Sequence, residues 1–216
     1  MPERTGASLF ARHKEKSSAM QYKIGVYGSN ITEGEHAVQR AQELGIALAQ
    51  QQVIVVTGGC SGMPYTTAYA AKQSGAEVWG FTPARNEEEQ RRTYPHDDIT
   101  IYDRLFYIPE HYDQHFYLQQ PLSAEHEWSA RLKYRNVIST IHVDAGIIVA
   151  GGWGTLNEVT NLLYDGKPIG VLTGSGALAD ELPHWFPRLR KKSASTLYFE
   201  HQPTTLVSLI LDALIK

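Results

Sequence analysis

The sequence has little of three things: cysteine, basic charge and long apolar runs. Cys60 is its only cysteine, which excludes an intramolecular disulfide and a zinc site built on cysteines. The 20 basic residues are outnumbered by 23 acidic ones, so no basic excess favours nucleic acid or an anionic membrane. No apolar run is long enough to span a bilayer. We therefore expect a cytoplasmic protein that binds neither nucleic acid nor membranes.

The chain is predicted to form one domain after a short leader. Residues 1–20 mix basic and acidic residues and contain no apolar stretch fit for a secretory signal, which predicts a disordered leader. Residues 21–216 have the length of one domain. Hydrophobic residues make up 42% of the sequence and charged residues 20%, which is ordinary for a globular protein.

From Tyr22 onward, short β-branched runs alternate with helical patterns. The predicted strands are Lys23–Tyr27, Val53–Val56, Glu77–Phe81, Ala145–Ala150, Pro168–Leu172 and Leu197–Phe199, with an edge strand at Ile99–Tyr102. The predicted helices are Glu35–Gln51, Tyr65–Gln73, Glu125–His142, Thr155–Tyr164, Leu178–Arg190 and Thr204–Ile215, and Asn86–Arg92 is a charged loop or helix. Strands that are apolar throughout are typical of a parallel sheet covered on both faces. The alternation predicts an α/β protein with a Rossmann-like, doubly wound parallel sheet, whose ligands bind where the strand order reverses.

Three predicted strands end in glycine-rich loops. These are Gly28-Ser29-Asn30, Thr57-Gly58-Gly59-Cys60-Ser61-Gly62 and Gly151-Gly152-Trp153-Gly154-Thr155. Glycine lets backbone amides approach an anion, and the helix that follows offers its free N–H groups. None of the loops matches the dinucleotide fingerprint or the P-loop, which disfavours a NAD enzyme or a P-loop NTPase. Turn chemistry alone explains one such loop, whereas all three together predict a site for a phosphorylated ligand at three helix N-termini.

The stretch from Arg131 to Glu158 contains the most informative charges. Arg131 and Arg135 lie four residues apart on one helical face, and Glu127 can pair with Arg131, leaving Arg135 free for an anion. The alternative for the two arginines is a solvated basic stripe. Glu158 forms a capping-box pattern with Thr155 at the N-cap, or it is a functional carboxylate within one turn of the third glycine loop.

These motifs, in this order, resemble a known family. The motifs are Gly28-Ser29, Thr57-Gly58-Gly59-x-x-Gly62, Arg135-Asn136 and Gly151-Gly152-x-Gly154-Thr155-x-x-Glu158. They resemble the Lonely Guy group, long labelled "possible lysine decarboxylases", within the SLOG superfamily of Rossmann-like nucleotide binders, over nearly all of Tyr22–Leu172. No lysine motif for pyridoxal phosphate is present, so the decarboxylase label is rejected.

The resemblance implies a homodimer with a Rossmann-like fold. The enzyme hypothesis that follows uses no cofactor, and no metal is expected. The resemblance implies hydrolysis of the N-glycosidic bond of a nucleoside 5′-monophosphate, releasing base and ribose 5-phosphate, with Arg135 and Glu158 as the catalytic residues. The substrate-binding residues that it implies are Gly28, Ser29, Thr57, Gly58, Gly59, Ser61, Gly62, Asn136, Gly151, Gly152, Gly154 and Thr155.

The sequence departs from the family pattern at three places. Ala150 replaces a proline before the glycine pair, Gly62-Met63-Pro64 replaces Gly-Leu-Met-Gly, and Asn136 replaces the lysine of cytokinin-activating members. The departures resemble another branch of the superfamily, which includes a molybdenum-cofactor carrier and nucleotide sensors. A non-catalytic carrier or sensor that uses the same loops is therefore the alternative function.

Several other side chains have a functional and a structural interpretation. Cys60 is interpreted as a small buried residue rather than a nucleophile, and Trp153 stacks on a base or faces solvent. His111, His115 and His126 lack the spacing of a metal site. Tyr112, Phe116 and Tyr117 of the irregular segment, together with Trp128 in the Arg135 helix, form a base-stacking lid, a dimer surface or ordinary packing.

Overall fold

The computed structural model describes residues 21–31, 33–109, 112, 123–189 and 193–216. The strands are β1 Lys23–Gly28, β2 Ile54–Thr57, β3 Glu77–Phe81, β4 Arg104–Phe106, β5 Ala145–Val149, β6 Ile169–Leu172 and β7 Leu197–Glu200. The helices are α1 Glu35–Gln50, α2 Met63–Gln73, α3 Glu87–Thr93, α4 Ala124–Ile141, α5 Trp153–Tyr164, α6 Ala177–Trp185 and α7 Pro203–Ile215. The predicted leader and the side chains of His111, His115, Phe116 and Tyr117 lie outside the described residues.

The strands form one parallel sheet in the order β4-β3-β2-β1-β5-β6-β7. The chain adds strands outward from β1 to β4, crosses back through α4, and then adds β5 to β7 on the other side of β1. The strand order therefore reverses between β1 and β5. These two strands are parallel neighbours, in a register that pairs Ile24 with Ala145 and Gly28 with Val149. The predicted doubly wound α/β fold is confirmed, and the reversal predicts a binding crevice at the carboxyl ends of these two strands.

Both faces of the sheet are covered by helices. In β5, Ile147 and Val149 point into a core shared with α1, α2 and α7. Ile148, between them, points into a second core shared with Leu162 of α5 and Leu182 of α6. Because every residue of β5 is buried, its sequence shows no polar alternation. None of the described helices is long and apolar enough to cross a membrane.

Two predicted elements are wrong. Ile99–Tyr102 is not the edge strand, because Asp98 accepts a hydrogen bond from the Thr100 amide and starts a 3₁₀ helix at Ile99–Ile101. The edge strand is β4, three residues further on. The helix predicted to reach Arg190 ends at Trp185 and continues as a 3₁₀ turn, since Pro187 has no N–H to donate to the preceding turn.

Ala150, directly after β5, adopts a backbone conformation that is unusual for a residue with a side chain. Its φ is 53°, in the left-handed region that favours glycine. Its N–H donates to Ser175 Oγ at 2.8 Å, and its carbonyl accepts from the Ala179 N–H at 3.2 Å. A proline could neither adopt this φ nor donate this hydrogen bond. The backbone of this chain is therefore incompatible with the proline of the family pattern.

We predict that Ala150→Pro lowers the free energy of unfolding by about 3 kcal/mol or more, because the ring forbids the observed φ and removes the bond to Ser175. Ala150→Gly should leave the free energy of unfolding unchanged or raise it by up to about 1 kcal/mol, since glycine adopts positive φ without a steric penalty. Urea unfolding of the two variants and the wild type measures both effects. A proline variant as stable as the wild type would contradict the backbone described above.

Candidate functional site

A cavity of about 490 Å³ opens between the carboxyl ends of β1 and β5. Ten of the predicted site residues line it: Gly28, Ser29, Gly58, Arg135, Asn136, Gly151, Gly152, Gly154, Thr155 and Glu158. Its wall also includes Tyr27, Asn30, Glu33, Cys60, Pro64 and Trp153. Residues from all three glycine loops thus meet at the reversal of strand order.

Four of the predicted site residues do not line the cavity. Thr57 is fully buried, and its Oγ1 accepts from the Gly59 N–H within the second glycine loop. Ser61 donates its hydroxyl to the Asp97 carboxylate. Gly62 is the N-cap of α2. These residues shape the second loop rather than present polar groups to the cavity.

Arg135 and Glu158 form a buried ion pair at the base of the cavity. Arg135 Nη1 lies 3.5 Å from Glu158 Oε1, and the two residues are 8% and 5% exposed. A side chain at Gly58 would overlap the Arg135 guanidinium and would displace it from its present position. Arg135 therefore does not lie on a solvated basic stripe, and it is paired with Glu158 rather than free. The interpretation that an anion binds in front of Arg135 stays a prediction.

Arg131, one turn earlier on α4, has the predicted partner Glu127 at 3.9 Å and a closer partner in Glu89. Its guanidinium forms a two-pronged ion pair with the Glu89 carboxylate, with nitrogen–oxygen distances from 2.9 to 3.1 Å. Glu127 lies 3.9 Å from Arg131 Nε and binds Arg85 more closely. Trp128 packs on the same guanidinium, 4.9 Å from ring centroid to Cζ. Arg131 thus fixes α4 against the loop that follows β3.

The capping-box interpretation of Glu158 is wrong. Helix α5 begins at Trp153, with Gly152 as its N-cap, so Thr155 lies inside the first turn and Glu158 one turn beyond it. Burial raises the pKa of the Glu158 carboxyl to about 7, although the positive charge of Arg135 opposes this effect. Near neutral pH, the carboxyl is therefore present in both protonated and ionised forms.

The raised pKa of Glu158 makes stability depend on pH. Between about pH 4.5, near the carboxyl pKa of an unfolded chain, and pH 7, the folded state holds a proton that the unfolded state releases. The stabilisation from this proton is complete below that range and is lost as the pH rises through 7. We predict that the unfolding free energy of the wild type, relative to Glu158→Gln, falls by up to about 3 kcal/mol from pH 4.5 to pH 8.

Urea unfolding of the two proteins at several pH values measures this difference. Glu125→Gln is the matched control, because Glu125 is exposed at the start of α4. A difference between the wild type and Glu158→Gln that does not change with pH would show that Glu158 titrates normally.

Helix α3 joins two parts of the site, and the sequence analysis missed this role. Gln90 is fully buried, donates from Nε2 to the Gly59 carbonyl at 2.7 Å and accepts from the Thr82 hydroxyl. Its neighbour Glu89 holds Arg131 on α4. The helix therefore links the second glycine loop to the helix that carries Arg135. The pattern Asn86-x-x-Glu89 was an available signal, since Asn86 is the N-cap of α3 and accepts from the Glu89 amide.

The remaining candidates have structural explanations within the described residues. Burial raises the pKa of the Cys60 thiol, against the lowering effect of Arg135, which disfavours the thiolate that a nucleophile needs. No cluster of three metal-ligating side chains occurs in the described part of the chain. Tyr112 packs edge-on against Tyr134, whereas Trp153 is 88% exposed beside the cavity.

The three helix N-termini at the cavity are not equivalent. In α2, the Met63 N–H donates to the Ser29 carbonyl and Pro64 has no N–H. Helix α1 begins next to two carboxylates, Glu33 and Glu35. In α5, by contrast, no described acceptor takes the N–H of residues 152–155, and the first turn has no acidic residue. Of the three described helix starts at which the sequence predicts an anion, that of α5 fits best, because it combines free amides with a first turn that has no carboxylate.

Comparison with known proteins agrees with this fold. A model of the SLOG cluster4 family matches residues 21–105, which supports a place for the chain in the SLOG superfamily. No curated protein matches the sequence. The structure of TM1055, a structural genomics target, superposes with a TM-score of 0.67 at 16% identity, covering 89% of this chain and 99% of the other. The chain has the Rossmann-like α/β fold of such structures, and its residues 21–105 are similar to the SLOG cluster4 family.

Two further structures show what this fold can bind in other proteins. The molybdenum cofactor binding protein of Rippkaea orientalis has a TM-score of 0.62 at 21% identity, covering 92% of this chain and 100% of the other. DNA processing protein A of Helicobacter pylori, described for its single-stranded DNA binding mode, has a TM-score of 0.59 at 14% identity over 88% and 81%. These identities show the fold alone. Because one such protein binds DNA, the fold gives no support to the expectation that nucleic acid is excluded.

Proposed function

We propose that the cavity binds a nucleoside 5′-monophosphate and hydrolyses its N-glycosidic bond, releasing the base and ribose 5-phosphate. The observation that carries this proposal is the buried Arg135–Glu158 pair next to the free amides of α5. The amides provide an anion site, and the carboxyl lies one turn further along the same helix. Phosphate and sugar can therefore be held with the carboxyl near C1′.

The chemistry of the bond fits the protonation of Glu158. Cleavage of the bond between C1′ and the base nitrogen produces a cationic, oxocarbenium-like sugar. With a pKa of about 7, protonated Glu158 donates its proton to the leaving nitrogen, and the resulting carboxylate stabilises the cation. Water then adds to C1′ and returns a proton to the carboxylate. Arg135 compensates the charge of Glu158 in its ionised form and orients it toward the sugar.

We predict that a 5′-phosphate raises the melting temperature far more than the matching nucleoside does, because the amides at the start of α5 bind the anion. Gly154→Asp should abolish the difference between the two ligands by placing a negative charge in the first turn. Gly154→Asn has nearly the same shape without the charge, and no atom lies within 4 Å of a β-carbon built at Gly154. Gly154→Asn should therefore retain more of the phosphate-dependent rise in melting temperature than Gly154→Asp. Equal rises in the two variants would contradict a phosphate at this helix.

The catalytic step is tested with a panel of nucleoside monophosphates, by following free base and ribose 5-phosphate. We expect turnover of at least one of them, and a fall of about 10²–10⁴-fold in Glu158→Gln, which keeps the size of the side chain but can neither donate the proton nor become a carboxylate. Arg135→Ala should weaken binding of the monophosphate as well. Turnover by Glu158→Gln near the wild-type rate would end the catalytic role of Glu158.

A second candidate is a carrier of the molybdenum cofactor or a nucleotide sensor. Three observations favour it. Ala150 has a backbone conformation that proline cannot adopt, and Asn136 stands in place of a lysine. The structural similarity to the Rippkaea orientalis protein also covers nearly the whole of both chains. Asn136 is buried, and its amide donates to Asn157 Oδ1, so the cavity has one cation fewer than the family pattern. Binding of phosphorylated ligands with no turnover of any monophosphate would favour this candidate.

We also propose that the protein is a homodimer or a multiple of dimers. Exposed apolar side chains on α4 and α5 support an interface, with Val137, Ile141 and Tyr164 at 41%, 54% and 80% exposure. We predict a dimeric mass, or a multiple of it, by light scattering at micromolar concentration. A monomeric mass would contradict this.

A further inference from the structure

Glu33 lies on the wall of the cavity opposite the proposed phosphate site. It directly precedes Gly34, the N-cap of α1, and its partly buried side chain lines the cavity. Helix α1 packs on the face of the sheet that carries α2 and α7, whereas α5 packs on the other face. The beginnings of the two helices therefore face each other across the crevice between β1 and β5. A ligand whose phosphate binds α5 extends its other end toward Glu33.

The Glu33 carboxylate has no hydrogen-bond or ion-pair partner among the residues that the structure describes. Among the described residues, no cationic side chain lies within ion-pair distance of it, and no N–H or O–H group donates to it. Arg135 is the one cation among the described residues that line the cavity, and it is paired with Glu158. An acceptor-only group on the wall of a binding cavity is satisfied by water until a ligand brings donors of its own. The carboxylate thus disfavours a second anionic group at this end and favours hydrogen-bond donors.

We propose that Glu33 determines base specificity by accepting two hydrogen bonds from adjacent N–H groups of the ligand, the arrangement on the N1 and 2-amino edge of guanine. The two carboxylate oxygens match two neighbouring donors, as they match an arginine fork. Adenine presents a donor beside an acceptor nitrogen, which would face a carboxylate oxygen and repel it. Hypoxanthine keeps the N1–H and lacks the 2-amino group. The inference rests on the proposed binding of monophosphates and adds the class of base.

The test compares GMP, IMP and AMP by calorimetric titration of the full-length protein. We expect GMP to bind about tenfold or more tightly than IMP, as one further hydrogen bond to a charged acceptor allows, and more tightly than AMP. Glu33→Gln should reduce the preference for GMP over IMP to about threefold or less, because the charge and one acceptor oxygen are lost. Glu35→Gln is the matched control, since it removes a carboxylate from the same helix end at an exposed position. That variant should keep the preference.

The outcomes separate this inference from the proposed function. Equal binding of GMP and IMP by the wild type, or an unchanged preference in Glu33→Gln, overturns the role of Glu33 and leaves monophosphate binding standing. If Glu35→Gln also loses the preference for GMP over IMP, the effect comes from the total charge at the start of α1. That result also overturns the specific role of Glu33. If none of the three monophosphates binds, the proposed function fails and this inference fails with it.

Discussion

The ion pair between Arg135 and Glu158 constrains both the helices and the loops around the cavity. Each charge is buried, and removing either partner would leave the other uncompensated in a poorly solvated place. Arg135 also lies against the backbone of Gly58, so the second glycine loop, α4 and α5 meet at one guanidinium. A buried pair of this kind is costly for stability compared with apolar packing. The pair lies on the wall of the cavity, where the proposed function gives both of its members a task.

The three glycine loops have different tasks around this pair. The first two are bonded to each other through the Met63 N–H and the Ser29 carbonyl, which uses an amide that α2 could otherwise offer to an anion. The second loop is also bonded to α3 through Gln90 and the Gly59 carbonyl. Among the described helix starts at the cavity, that of α5 combines first amides without acceptors with a first turn that has no carboxylate, whereas α1 begins beside Glu33 and Glu35. The first two loops therefore build the wall of the cavity, and the third leads into the helix start that we propose as the phosphate site.

The elements that could be predicted from the sequence are those that local patterns determine. Apolar runs such as Ala145–Val149 and the three-and-four spacing of α1 depend on burial alone, so the sheet and its helices were predicted. The Arg135–Glu158 pair could not be, because its members lie 23 positions apart and each also fitted a local pattern, a charged stripe or a helix cap. Gln90 and Glu33 stand in segments without periodicity. Their roles depend on contacts across the fold or on the position of α1 beside the cavity.

The backbone after β5 explains why the family resemblance does not fix the ligand. The carbonyls of Ala150 and Gly151 accept from the Ala179 and Leu178 amides of α6, which holds both carbonyls away from the cavity. The positive φ of Ala150 and its bond to Ser175 are part of this arrangement. A proline at this position requires a different φ and must give up that bond. Since this loop leads directly into α5, whose first amides form the proposed phosphate site, a proline at position 150 would change the path of the backbone into that helix.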